Sequence, residues 1–261
     1  MSRVRDRPGG STSPRVRWGV AGNPACTCVK HGHQSWLLDG QRPREDGGMP
    51  LPAPTLHTGR LLLRPFDDTD AGDLFALHTN ALVMRYWDGP VWTERGHAAR
   101  FIAACREMAV EGTGARLAVD RVSDGSFIGW CTLQQWNPEY RSASLGYCFN
   151  YAAWGHGYAT EAARMLLGWA LDTLDLNRVQ AEVDTSNNAS ARVLEKLGFV
   201  REGTLREDCI ANGEVSDSWV YGLLRREWRP ASEAEPIRSE LYCLRERASS
   251  LTSRREDARD A

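Results

Sequence analysis

Lysine is almost missing from this chain: Lys30 and Lys196 are the only two among 32 Lys and Arg residues. Nearly all positive charge is therefore arginine, which reads as the coding bias of a GC-rich genome rather than as function. An excess of either sign is missing as well. A formal net charge of -2 sets up no overall field to draw the chain to nucleic acid or to an acidic surface. No apolar run approaches the roughly 20 residues that a membrane span requires, and the N-terminus lacks the apolar core of a signal peptide. The pattern also lacks a disulfide framework. Seven cysteines make an odd number, and Cys105, Cys131, Cys148 and Cys209 fall inside apolar or alternating stretches. They read as small buried thiols in a reducing compartment. The expectation is a cytoplasmic protein, monomer or homodimer, with neither nucleic acid nor membrane as a partner.

What is present suits a soluble core: 261 residues with 42% hydrophobic content make one large domain or a medium domain with tails. Residues 1–54 are rich in Gly, Pro, Ser and Arg without a sustained period and read as a disordered or poorly ordered extension. Met49 lies just before the ordered pattern and is an alternative start. Within the extension, Cys26, Cys28, His31 and His33 are soft ligands close together. Their spacing lacks the long loop that lets a finger wrap around zinc, so a tail that happens to contain them is the plainer reading and no metal is assigned. Residues 55–229 read as the functional domain. Residues 230–261 read as a charged tail, in which Ile237, Leu241 and Leu244 suit one short amphipathic helix.

Order begins at Arg60-Leu-Leu-Leu-Arg64-Pro65, a short strand stopped by proline. Caps at Asp67 to Thr69 precede a helix with Ala71, Leu74, Phe75 and Leu77 on one side. A second helix starts near Thr93-Glu94 and carries Ala98, Phe101, Ile102, Cys105 and Met108. The aromatic segment between them offers Tyr86, Trp87 and Trp92, either to line a substrate mouth or to plug the helices onto a sheet. Three strands follow, at residues 116–122, 127–136 and 142–150, with Ser123-Asp-Gly-Ser126 and Asn137-Pro138 as breaks. A helix is expected over 159–174, a strand over Arg178–Asp184 with Gln180, Glu182 and Asp184 on its polar side, and a short helix over 189–197 ending at Gly198. Asn212-Gly213 marks a closing hairpin. This order predicts an α/β (α+β) fold: a mixed, mostly antiparallel sheet flanked by helices, with one parallel step.

That parallel step carries Trp154-Gly155-His156-Gly157-Tyr158-Ala159-Thr160-Glu161-Ala162. Glycines between a strand and a helix let backbone N–H groups converge on one point. The first helical turn adds unpaired donors and the positive end of the helix dipole. This is an anion site suited to a pyrophosphate. A P-loop would need Lys-Ser/Thr after the last glycine, where Tyr158-Ala159 stand. A dinucleotide fingerprint would need a parallel βαβ context, which the preceding antiparallel meander opposes.

Element order and motif together resemble the GNAT superfamily of acetyl-CoA-dependent N-acetyltransferases over residues 58–228. Arg60-Leu-Leu-Leu-Arg64-Pro65, Leu145-Gly-Tyr147, the loop itself, Asn187-Asn-Ala-Ser190, Leu194-Glu-Lys-Leu-Gly-Phe199 and Glu202-Gly-Thr-Leu-Arg206 are similar to its RimJ/RimL-like branch of ribosomal-protein N-terminal acetyltransferases. The resemblance implies a twisted sheet with a central splay between residues 145–150 and Arg178–Asp184. Acetyl-CoA would lie in that splay, its pyrophosphate on the backbone N–H groups of Gly155, His156, Gly157, Tyr158 and Ala159. Thr160 would add a hydroxyl, and Asn187 would touch the cofactor. Trp154 stands where the family pattern has a polar residue. An N–H near Tyr147, Cys148 and Phe149 would meet the thioester oxygen.

Acetyl transfer needs a neutral amine, a polarised carbonyl and a stabilised leaving thiolate. By resemblance Glu182 is the base, against the reading of a solvated strand residue. Ser190 is the donor to the thiolate, in addition to a capping role shared with Asn187. Related enzymes use a tyrosine where this chain has Leu194, so that acid is absent. Tyr86, Trp87 and Asp217 are the candidate substrate contacts, and Glu207 and Asp208 near the hairpin could attract a cationic amine. The expected acceptor is a protein N-terminal α-amine or a small amine. The alternatives are an aminoglycoside or polyamine, or a non-catalytic CoA-binding module.

Overall fold

A computed structural model of the protein describes residues 28–29, 50–51, 53–87, 89–211 and 213–230. The charged tail with Ile237, Leu241 and Leu244, the potential ligands Cys26, His31 and His33, and Asn212 of the hairpin turn lie outside the described residues.

The chain opens with β1 (Cys28–Val29), β2 (Leu56–His57) and β3 (Leu61–Pro65), then α1 (Ala71–Thr79) and α2 (Gly96–Val110). A meander follows: β4 (Ala115–Arg121), β5 (Ser126–Asn137) and β6 (Ser142–Phe149). Next come α3 (Tyr158–Thr173), β7 (Arg178–Asp184), α4 (Asn188–Lys196) and the hairpin β8 (Val200–Ala211) and β9 (Glu214–Leu224). The main sheet runs β2-β3-β4-β5-β6-β7-β9-β8. Its neighbours pair antiparallel except β6 and β7, which are parallel. The mixed, mostly antiparallel sheet is therefore the observed one. One feature differs from the simple chain order: β9, not β8, pairs with β7.

Local chemistry explains the element ends. Before α1, Asp67 accepts the Thr69 N–H at 3.0 Å while Asp70 accepts the Asp67 N–H at 2.7 Å, a reciprocal cap. Arg64 ties this cap to the sheet, donating to Asp70 at 2.7 and 2.8 Å and to Asp120 on β4 at 2.6 Å. Gly198 takes a φ of +91° after α4, as its C′ position requires.

Side-chain alternation divides the sheet into two faces. On one, Trp130 of β5 packs against Phe101 of α2 at 5.6 Å and His78 of α1 at 6.2 Å. Its cross-strand partner on β6 is Cys148. On the other, Tyr147 of β6, paired with Cys131, reaches α4. Cys105, Cys131, Cys148 and Cys209 are buried. Among the described residues, no helix is long and apolar enough to cross a membrane.

His78 makes stability pH-dependent. It is buried, bonded through Nδ1 to the Leu74 carbonyl at 2.9 Å and stacked on Trp92 at 4.0 Å. Burial, helped by the Arg116 charge, lowers its pKa from 6.5 to about 4. Between those values the unfolded chain binds a proton that the folded chain refuses. The stabilisation is thus complete above about pH 6.5 and is lost as pH falls toward 4, on the order of 3 kcal/mol in all. His78→Phe should flatten the pH dependence of the unfolding midpoint between pH 7 and 4; an unchanged slope would exclude His78 as its source.

Candidate active site

The site is built where β6 ends and α3 begins. Gly155 and Gly157 both take φ of +79°, a left-handed conformation that a Cβ disfavours. Gly157 is the N-cap of α3, and the first helical bond runs from the Glu161 N–H to the Gly157 carbonyl. The N–H groups of Tyr158, Ala159 and Thr160 have no helical partner and open outward with the dipole behind them. The loop is held from both ends. The Trp154 indole turns inward, donating to the Phe149 carbonyl at 2.8 Å and packing on Tyr151 at 4.9 Å. His156 Nδ1 bonds the Trp154 carbonyl at 2.7 Å, and its ring stacks on Tyr158 at 5.6 Å. The polar place in the family pattern is thus filled by a buried anchor, and Trp154 has only backbone to offer a ligand.

The loop leads into a splay. β6 and β7 pair from Ser142↔Arg178 to Ser144↔Gln180, after which both strands continue without pairing each other. The facing edge of β6 beyond Ser144 is where an extended ligand arm can bond to backbone. In this structure β1 uses part of it: Cys28 and Val29 pair antiparallel with Cys148 and Tyr147, and β1 also lies against β7.

Candidate side chains approach the splay from opposite faces. The pairing Ser144↔Gln180 puts Gln180, and by alternation Glu182, on the α1–α2 face. Glu182 is half-buried and accepts from Gln180 Nε2 at 3.2 Å. Asp184, expected on the polar side with them, is buried and accepts the Ser186 N–H at 2.8 Å. On the α3–α4 face, Asn187 caps α4 by accepting the Ser190 N–H at 3.2 Å. Ser190 is fully buried, its Oγ 3.0 Å from the Tyr147 hydroxyl. That hydroxyl also donates to the Ser190 carbonyl at 3.2 Å. A side-chain contribution from Tyr147 was not foreseen; the signal was its alternation onto the α4 face.

The candidate substrate contacts are scattered. Trp87 is buried, with its ring 5.5 Å from Trp130, so it packs as core, and Tyr86 is half-buried against that core. Asp217 accepts the Glu207 N–H at 2.8 Å, pinning the bulge where β8 and β9 lose register. Sequence reasoning also missed Arg60, whose guanidinium reaches the loop from the start of β3.

The chain matches the family model described as "Acetyltransferase (GNAT) domain" over residues 60–200. It is 31% identical over 174 residues to an uncharacterized N-acetyltransferase, p20, of Bacillus licheniformis, covering 67% of this chain and 98% of that protein. Among solved structures it resembles a spermidine N-acetyltransferase from Vibrio cholerae in complex with CoA and spermine. The TM-score is 0.59 at 22% identity, covering 65% of this chain and 98% of that one. It also resembles RimL, a ribosomal L7/L12 alpha-N-protein acetyltransferase in complex with coenzyme A. There the TM-score is 0.60 at 19% identity, over 64% and 95%.

Proposed function

The chain belongs to the GNAT acetyltransferase family, and from that premise we propose that this acetyl-CoA-dependent N-acetyltransferase acts on a protein N-terminal α-amine or a small primary amine. The observation that carries the cofactor assignment is the junction of β6 and α3. The paired left-handed glycines, the open first turn of α3 and the edge of β6 that β7 leaves beyond Ser144 form one continuous path. Its donor set fits a pyrophosphate followed by an amide-bearing arm.

Bound acetyl-CoA supplies the thioester. Gly155 to Thr160 hold the phosphates, and the β6 edge at Tyr147 to Phe149 aligns the arm and offers an N–H to the carbonyl oxygen. Glu182, on the α1–α2 face, takes the proton of the incoming amine, directly or through water. Ser190, on the opposite face, donates to the leaving sulfur, its hydroxyl oriented by Tyr147. Attack and departure are thereby assigned to opposite faces of the sheet. The buried cysteines suit a reducing cytoplasm.

An acceptor panel of N-terminal peptides, aminoglycosides and polyamines, read by thiol release, tests the assignment. Peptides as the preferred acceptors support the N-terminal reading. Polyamine preference would favour the alternative, which draws on the acidic Glu207, Asp208 and Asp217 around the β8 bulge. CoA binding without turnover on any amine would make the chain a non-catalytic module.

The pairing of Cys28 and Val29 with β6 occupies the edge assigned to the pantetheine arm, so the two compete. Deleting residues 1–48 is expected to lower KM for acetyl-CoA about three- to tenfold, the equivalent of one or two backbone hydrogen bonds. Equal KM values for the two forms in steady-state kinetics would show that no competition exists.

A further inference from the structure

Gly155 and Gly157 give the anion loop its shape, but they also leave its peptide planes free to turn. A peptide unit is rigid and planar, with its C=O and N–H pointing opposite ways. The His156 carbonyl and the Gly157 N–H belong to one such unit. If the carbonyl rotates inward, the loop presents an oxygen to an incoming phosphate in place of a donor. That rotation turns ψ of His156 and φ of Gly157, and the missing Cβ of Gly157 lowers the local steric resistance to it.

Arg60 holds this peptide from outside. Its Nη1 donates to the His156 carbonyl at 3.1 Å. The guanidinium is itself fixed: Nε donates to Glu161 at 2.7 Å, Nη2 makes a second bond to the same carboxylate, and Tyr158 lies under the plane at 4.8 Å. Glu161 also accepts the Thr58 hydroxyl at 2.5 Å. Thr58 and Arg60 lie in the turn between β2 and β3, and Glu161 stands in the first turn of α3. The arrangement therefore locks helix, strand and loop into one unit.

We propose that Arg60 is a positioning residue for the phosphate loop: by holding the His156 carbonyl outward, it aims the Gly157 N–H into the anion site. This rests on the loop's assignment to the acetyl-CoA pyrophosphate. The guanidinium also polarises the shared peptide, making the Gly157 N–H a better donor. Lysine is no substitute, because a single ammonium cannot bridge a carboxylate and a carbonyl in the geometry of a planar fork.

The test is calorimetric titration of the full-length protein with coenzyme A, alongside steady-state kinetics. Arg60→Ala should weaken CoA binding about tenfold and raise KM for acetyl-CoA equally, with kcat at saturation preserved. Arg60→Lys should recover only a minor part of the affinity. The loss should persist from 50 to 500 mM salt, since an ordering effect is not screened as a direct ion pair to phosphate would be. Arg141→Ala, which removes a surface ion pair to Asp175, is the control and should bind CoA as the wild type does. Wild-type affinity in Arg60→Ala, full recovery in Arg60→Lys, or a deficit that vanishes at high salt would each overturn the proposal. Failure of the wild type itself to bind CoA would instead sink the assignment of the loop, and this role with it.

Discussion

Gly157→Glu is expected to abolish acetyl-CoA binding while leaving the fold assembled. The new carboxylate would stand where the loop gathers N–H donors for a dianionic pyrophosphate. Two unit charges 4 Å apart repel by about 4 kcal/mol at the effective dielectric of a protein surface, which already corresponds to about a thousandfold in affinity. A second effect acts in the same direction. An ideal Cβ on Gly157 lies 3.7 Å from Arg60 Nη2, so the introduced carboxylate can draw the guanidinium away from Glu161 and the His156 carbonyl. The conformational cost is smaller. Placing a non-glycine residue at a φ of +79° costs about 1–2 kcal/mol, against a stability of about 5–15 kcal/mol for an ordinary domain. The space beside Gly157 opens toward a flexible side chain, so no backbone need move. Titration with CoA and a thermal melt separate the two effects: no detectable binding, with a midpoint lowered by only a few degrees. Wild-type affinity in this variant would remove the loop from the cofactor site. Gly157→Ala, which carries the strain without the charge, should keep most of the binding.

How much of this was legible in the sequence depends on the range of the forces involved. Periodicity and turn chemistry act over a few residues, and they located the elements well: the helix expected over 159–174 runs Tyr158–Thr173, and the strand Arg178–Asp184 is as expected. Asn212-Gly213 signals that β8 and β9 form a hairpin, but no local pattern says which of the two docks on β7. The structure leaves one strand's width in the β7-α4-β8 crossover and fills it with β9. The pairing of Cys28–Val29 with β6 was equally illegible, because two residues carry no period. At the site, the glycine spacing announced the loop, since glycine takes the left-handed φ without a Cβ penalty. The inward indole of Trp154 and the reach of Arg60 across 96 positions to His156 depend on packing between distant segments. Neither leaves a trace in the spacing of residues.

Glu182→Gln is expected to lower kcat at pH 7 by about a hundredfold or more, the usual contribution of a positioned general base. KM for acetyl-CoA should stay close to the wild-type value, because the phosphate loop does not include Glu182. Glutamine keeps the size of the side chain, and a contact to Gln180 like the present 3.2 Å bond remains available, but it cannot take a proton from an ammonium. The deficit should shrink as pH rises, since bulk solvent then supplies the neutral amine. The pH at which it shrinks depends on the acceptor. An α-amine, with a pKa near 8, should largely escape the need for the base by about pH 9; an alkylamine of the lysine type, near 10.4, should not. Ser190→Ala should behave differently. Its hydroxyl stabilises the departing sulfur, so a loss on the order of tenfold should appear in kcat with little pH dependence. Tyr147→Phe, which removes the partner 3.0 Å from Ser190 Oγ, should reproduce part of that loss. Wild-type turnover by Glu182→Gln at pH 7 would strip Glu182 of the role, and a pH-independent deficit would make it a residue that orders the strand rather than one that moves a proton. One pair of profiles, wild type against Glu182→Gln on a peptide and on a polyamine, therefore tests the base and the acceptor class together.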